Sequence, residues 1–193
     1  MTSPIYRSPW LYRMVMRILY GRDYGKRFEV LAEMVEEGAS VIDLCAGDCA
    51  VYEEALVRKE VSYHAVDINE TFVRYARRRG LSAEKADVRE YAFPLCDVVL
   101  LLDSLYQFPA FLESLVDQAR RKAKILSILE PVRNVASHRW KIVRWLAAEL
   151  TDYGEGPVET RFTERELREL WERHGVTEVR NLGRDLLGIW RFE

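Results

Sequence analysis

Two hydrophobic periods alternate along the chain. Short apolar runs that suit buried strands stand at residues 40–45, 63–67, 82–86, 97–102 and 124–130. Segments with helical spacing fall between or around them, at 10–20, 26–37, 48–59, 69–79, 109–121 and 138–150. The stop signals agree with these limits. Ser8-Pro9 reads as a cap and a first-turn proline, Gly21, Gly38 and Gly80 close helices, and Asn69 opens one. Gly154, Gly156 and Pro157 mark a loop, and Thr163 with Glu166 forms a capping box for a helix reaching His174. Two late strands, 176–182 and 186–192, are separated only by 183–185, too short for a parallel crossover, so they are antiparallel neighbours.

Five strand–helix units followed by an antiparallel end predict an α/β fold. The sheet is doubly wound, mostly parallel and seven-stranded, with helices on both faces. At 193 residues the chain is one domain, 1–193, with 1–37 as an N-terminal helical cap. A hydrophobic share of 49% supplies a core, and 29 basic against 31 acidic residues leave a net charge of −2. That balance excludes disorder and a wholesale nucleic-acid binder. It conceals a basic arm: residues 1–27 hold six Lys/Arg and one acid. No apolar run approaches the ~20 residues of a membrane span, and the start lacks a secretion signal, so the expected location is cytoplasmic. Cys45, Cys49 and Cys96 are too few for a disulfide framework, and no His/Cys partner set completes a metal site.

In such sheets ligands sit at the carboxyl ends of strands. Those ends carry Asp43 and the loop Cys45-Ala46-Gly47-Asp48-Cys49, then Asp67-Ile68, Asp87-Val88, Asp103-Ser104, and Glu130 with Arg133 and Asn134. Asp67 follows Gly47 by 20 residues, the spacing of a carboxylate that accepts from both hydroxyls of a ribose. The loop opens a helix and offers N–H groups to an anion. It lacks the G-x-G-x-x-G of a dinucleotide site, and Asp43 would repel a pyrophosphate but suits an ammonium. The ligand implied has ribose, anion and cation close together, and S-adenosylmethionine fits it with its adenosine, α-carboxylate and α-ammonium.

On these motifs the chain resembles the class I (Rossmann-like) S-adenosylmethionine-dependent methyltransferases over about residues 26–193. Val41-Ile-Asp43-Leu-Cys-Ala46-Gly47-Asp-Cys49 stands at the family's glycine-rich loop, but Cys45 and Cys49 replace two of its glycines. Cysteine is costly at positive φ, so altered loop geometry or weakened cofactor binding is expected. The resemblance implies cofactor contacts at Asp43, Ala46 and Gly47, at Asp67 (ribose) and Ile68 (adenine packing), at Asp87 and Val88 (adenine edge), and at Asp103 and Ser104 (methionine part). It implies Tyr106, Gln107 and Glu130 as catalytic residues: Tyr106 and Gln107 are expected to face the methyl group, Tyr106 to orient or deprotonate an acceptor, and Glu130, with Arg133 and Asn134, to contact the acceptor. His138 is expected to be a plain helix residue, and His64 and His174 to be structural. Trp10, Tyr12, Tyr20 and Tyr24 are expected to form a cover over the pocket, with Gly21 and Gly25 as its hinges.

The implied activity is methyl transfer to a small-molecule or lipid-like acceptor, in keeping with the basic arm an anionic one. An RNA or protein methyltransferase and a non-catalytic S-adenosylmethionine-binding module are the alternatives. The Pro-Pro-Tyr signature of DNA-base enzymes is absent, so DNA is not an expected partner. Membrane contact through residues 8–20 is a lesser reading of the apolar helix with its basic stripe.

Overall fold

The computed structural model describes residues 4–132 and 161–193. The expected helix 138–150, the loop at 154–157, Arg133, Asn134 and His138 lie outside them. Seven strands form one sheet: β1 (Ser40–Leu44), β2 (Ser62–Asp67), β3 (Ser82–Lys85), β4 (Cys96–Leu102), β5 (Ala123–Pro131), β6 (Glu178–Asn181) and β7 (Asp185–Arg191). Their order is β3-β2-β1-β4-β5-β7-β6. β1 to β5 pair in parallel, while β7 runs antiparallel to both β5 and β6. The expected doubly wound sheet and its late antiparallel pair are therefore present. Strand order reverses between β1 and β4, which opens a crevice at their carboxyl ends.

The continuous apolar run of β4 is explained by burial on both faces. Val98 and Leu100 join one core with Leu31, Val35, Leu56 and Ile189. Val99 and Leu101 point the other way, into a core with Leu112, Leu115, Trp171 and Trp190. The first core lies under α1 (Pro9–Tyr20), α2 (Lys26–Ala32) and a helical segment over 50–59. The second lies under α4 (Phe111–Lys122) and α5 (Glu164–Arg173), and α3 (Glu70–Arg78) links β2 to β3.

Local chemistry sets the ends of these helices. Ser8 accepts from the Leu11 N–H, Asn69 from the Thr71 N–H, and Thr163 and Glu166 complete the capping box. Three elements differ from the sequence expectation. α2 stops at Ala32 rather than running to 37, because Met34 and Val35 tighten into turns bonded to Leu31 and Ala32. The segment expected at 48–59 begins at 50, and passes through a π turn at Tyr52–Leu56. The third of the five strand–helix units lacks its helix: residues 86–95 between β3 and β4 form none. They leave a groove of about 840 Å³ beside the sheet, lined by His64, Glu84, Asp87 and Tyr91. Among the described residues no helix is long and apolar enough to cross a membrane.

Candidate active site

The loop leaving β1 visits the left-handed region three times, at Cys45 (φ 56°), Gly47 (φ 52°) and Cys49 (φ 56°). The cysteines thus hold the backbone shape that glycine would take without steric cost. Backbone bonds fix that shape: Ala46 N–H donates to Val66 O at 3.1 Å and Cys49 N–H to Ala46 O at 2.8 Å. Gly47 N–H donates to Asp67 Oδ2 at 2.8 Å, and Asn69 N–H to Asp67 Oδ1 at 2.8 Å. Burial raises the Asp67 pKa to about 6 against the pull of those two donors. Asp43 is 2% exposed and takes a 2.5 Å bond from the Tyr63 hydroxyl. Burial pushes Asp43 to about 7, opposed by Tyr63 and helped by the negative charges of Asp67 and Asp48. Among the described residues no cluster of three or more His, Cys, Asp or Glu side chains is arranged for a metal ion.

The end of β4 forms the other wall. Asp103 has φ 54° and bonds through its N–H to Leu129 O at 2.8 Å. Ser104 is buried and donates to Leu102 O at 2.8 Å. A 3-10 turn, Leu105–Gln107, follows. Glu130, at the end of β5, is fully buried and accepts from the Leu105 N–H at 2.9 Å, so it anchors this turn from below. Burial drives its pKa far up, and Asp103 adds to the rise. Tyr106 is also buried, with Gln107 Nε2 3.4 Å from its hydroxyl and the Arg161 guanidinium 5.1 Å from its ring centre. Its phenol is pushed to about 12, chiefly by burial.

Two arginines fasten the N-terminal cap over this crevice. Arg13 on α1 donates from Nε to Asp48 Oδ2 at 2.6 Å and from Nη2 to Asp48 O at 2.7 Å, and also binds Glu53. Arg27 on α2 donates from Nη2 to Asp103 Oδ1 at 2.5 Å and lies 3.1 Å from Asp185 Oδ2 through Nε. Tyr20 donates to Asp185 Oδ1 at 3.2 Å and lies under the Arg27 guanidinium, 4.1 Å away. Tyr12 reaches over the loop: a Cβ on Gly47 would stand 3.8 Å from its ring. Tyr12 packs on Phe72 and Tyr6, and Asn69 Nδ2 donates to Tyr6 O at 2.9 Å. Among the described residues, the part of the crevice beneath α1 is a cavity of about 40 Å³ lined by Tyr12, Arg27, Asp43, Gly47 and Asp103.

The structure brings Asp43, Ala46, Gly47, Asp67 and Asp103 around one crevice. Ser104, Tyr106, Gln107 and Glu130 follow directly on its β4 and β5 side. Ile68 is half exposed at the end of β2. Asp87 lines the groove beside β3 and holds Arg89 through both carboxylate oxygens, which lowers its pKa, and its charge also raises the thiol of Cys45 in the β1 loop. Val88 is buried in the second core. Of the expected aromatic cover, Tyr12, Tyr20 and Tyr24 pack inward, but Trp10 is 71% exposed. With Met14 and Ile18, at i, i+4 and i+8, it forms an apolar stripe on the outer side of α1. Of the two expected hinges, Gly21 (φ 56°, ψ −125°) has a glycine conformation, while Gly25 is helical.

Arg13, Arg27, Tyr63 and Asp185 escaped the sequence reading. One signal existed for Arg27, since it interrupts the buried face formed by Tyr24, just before α2, and by Phe28 and Leu31 on α2. Asp185 looks like part of a turn, and nothing in the sequence links it to residues 165 positions away.

No family model and no curated protein matches the chain. Solved structures share its fold. A SAM-dependent methyltransferase from Aquifex aeolicus aligns over 94% of this chain and 97% of its own, with TM-score 0.63 and 19% identity. An O-methyltransferase family protein from Burkholderia thailandensis aligns over 96% of this chain, with TM-score 0.67 and 19% identity. Human N-acetylserotonin methyltransferase in complex with SAM aligns over 97%, with TM-score 0.62 and 17% identity. This chain spans 57% of the human protein and 59% of the Burkholderia one. The fold is that of S-adenosylmethionine-dependent methyltransferases.

Proposed function

We propose that the chain is an S-adenosylmethionine-dependent methyltransferase acting on a small-molecule or lipid-like acceptor. One observation carries the reading: the Gly47–Asp67 bond, which locks the left-handed loop after β1 to the acid at the end of β2 in a methyltransferase fold. The donor set fits the cofactor. Asp67 has lone pairs left for ribose hydroxyls, and Asp43 and Asp103 suit the ammonium. The cavity lined by the described residues is about 40 Å³, below the ~300–1,000 Å³ of ligand pockets, so this reading includes a movement of α1 on binding.

S-adenosylmethionine supplies a methyl group already activated on a sulfonium, so the protein's work is alignment and exclusion of water. Tyr106 stays protonated at neutral pH, so its role is to orient an acceptor by hydrogen bonding, not to deprotonate it. Gln107 supports that hydroxyl. Glu130 holds the Leu105–Gln107 turn in place, a positioning role. The cap, closed by Tyr12, keeps water from the crevice. A lipid-like acceptor gains support from the exposed stripe of Trp10, Met14 and Ile18, which gives an apolar chain a surface beside the cap.

Titration calorimetry with S-adenosylhomocysteine tests the cofactor reading. Binding is expected in the micromolar range and Asp67→Ala weakens it, while no heat at millimolar ligand overturns it. Release of S-adenosylhomocysteine from S-adenosylmethionine in the presence of candidate acceptors then identifies the substrate.

A further inference from the structure

We propose that Arg27, on the N-terminal cap, receives the α-carboxylate of the cofactor's amino-acid tail. The inference rests on the cofactor reading above and adds a residue that the loop motifs do not contain.

Arg27 is 3% exposed, so its charge is almost wholly removed from water. Only one of its three nitrogens is well paired, Nη2 with Asp103. Nε is near Asp185 but poorly aligned, and Nη1 has no hydrogen-bond partner among the described residues. A buried guanidinium N–H without an acceptor is costly and uncommon. Arg27 also lines the small cavity together with Asp43, Gly47 and Asp103. Its plane is held by stacking on Tyr20 and by Phe28, 5.5 Å away. The donors are therefore fixed before any ligand arrives.

Charge balance leads to the same residue. The crevice presents carboxylates at Asp43, Asp48 and Asp103. They suit an ammonium but oppose the carboxylate beside it. Arg27 is the one Lys or Arg among the described residues lining that cavity. A zwitterionic amino-acid tail thus finds acids for its cation and a single arginine for its anion. Because Arg27 sits on α2 and reaches Asp185 at the start of β7, carboxylate binding also ties the cap to the sheet.

The test compares two ligands that share the nucleoside thioether. S-adenosylhomocysteine carries the amino-acid tail, and methylthioadenosine lacks it. In calorimetry, Arg27→Met is expected to weaken S-adenosylhomocysteine by about 10- to 100-fold, the value of a lost charge-assisted bond. Methylthioadenosine should bind the variant within about twofold of the unsubstituted protein, because its contacts are untouched. Equal losses for both ligands, or no loss for S-adenosylhomocysteine, overturn the proposal. If Arg27→Met does not fold, as judged by melting, Arg27→Lys carries the same comparison. It keeps the charge without the second nitrogen, and a selective loss of S-adenosylhomocysteine is again expected. If the unsubstituted protein binds neither ligand, the cofactor reading itself falls and this proposal falls with it.

Discussion

Gly47 and Asp67 are joined by a 2.8 Å bond from the glycine N–H to the carboxylate, across the crevice edge between the first two strands. The same carboxylate accepts from Asn69 N–H, so one buried acid ties the β1 loop to the start of α3. Asp67→Asn keeps one acceptor oxygen and puts a donor group where a second N–H already points. The β1 loop is expected to loosen, and stability to fall by about 1–3 kcal/mol, as for a buried donor left unpaired. Asp67→Ala removes both acceptors and any ribose contact. Its affinity for S-adenosylhomocysteine should fall at least tenfold below that of Asp67→Asn. Chemical denaturation and calorimetry on the two variants separate the loop effect from the ligand effect.

Five buried acids, Asp43, Asp48, Asp67, Glu130 and Asp185, are all raised by burial and give the protein an unusual dependence on pH. Asp43 titrates at about 7, and Asp67 and Asp185 at about 6, all above the ordinary carboxyl value because burial opposes their charge. A group whose folded pKa is raised binds its proton more tightly in the native state. Its contribution is complete below the unfolded value, near pH 4, and is lost as pH rises through the folded value. The melting temperature should therefore fall between about pH 5 and pH 8. Asp97 acts in the opposite sense, since its bonds to Ser40 and Lys124 lower its pKa, and it loses stabilising effect only below about pH 4. Asp43→Asn, which still accepts from Tyr63, should flatten the slope between about pH 5 and 7. Cofactor affinity should run the other way. An ammonium needs Asp43 ionised, so binding should tighten about tenfold from pH 6 to pH 8 and lose this trend in Asp43→Asn. Melting curves and calorimetry across that range check both trends.

The sheet was legible in the sequence because its determinants are local. The apolar run of β4 announces burial on two faces, and the short link at 183–185 forces β6 and β7 to be antiparallel. The acids at the strand tips were legible for the same reason: spacing alone puts Asp43, Asp67 and Asp103 at one end of the sheet. The cap's fastening was not. Arg27 meets Asp103 from 76 positions away, and Arg13 meets Asp48 from 35. Those pairings depend on how α1 and α2 pack on the sheet, which no periodicity encodes. The missing helix between β3 and β4 follows the same logic. A strand-to-strand link of ten residues reads much the same whether it coils or not, and the grip of Asp87 on Arg89, two positions on, belongs to that coil.

Cys45 and Cys49 share a backbone conformation but differ in surroundings, so replacing them should give different results. At positive φ a non-glycine residue carries a cost of about 1–2 kcal/mol, which glycine relieves at the expense of a more flexible unfolded chain. Cys45 is partly exposed, so Cys45→Gly should leave stability within about 1 kcal/mol or raise it. Cys49 is fully buried, with its thiol packed near Tyr63, and Cys49→Gly also forfeits that burial. It should be the less stable of the two variants. If the loop already has the cofactor-binding shape, neither change should alter affinity for S-adenosylhomocysteine by more than about threefold. Denaturation midpoints and calorimetry on the two single variants check this.

Arg13 gives the closed cap its strength, and loosening it should speed ligand entry. Its guanidinium spans Asp48, inside the cofactor loop, and Glu53, on the segment that follows. Asp48 has only 4% of its side chain exposed, so Arg13→Ala strands a buried carboxylate and should cost about 2–4 kcal/mol. Arg13→Ala with Asp48→Asn removes the stranded charge and should recover part of that loss. Both variants free α1 and the Tyr12 that closes the crevice. The cavity beneath α1 is about 40 Å³, so on the proposed reading a nucleoside enters through an open state. The observed association rate then scales with the fraction of molecules open. In stopped-flow experiments with S-adenosylhomocysteine, the double variant is expected to associate about tenfold faster than the unsubstituted protein. Trypsin should cut sooner at Arg22 and Lys26, next to the Gly21 bend, while cleavage within the sheet stays slow. Faster cutting throughout the chain would mean general unfolding. Faster cutting confined to the cap, with faster association, is the signature of a released lid.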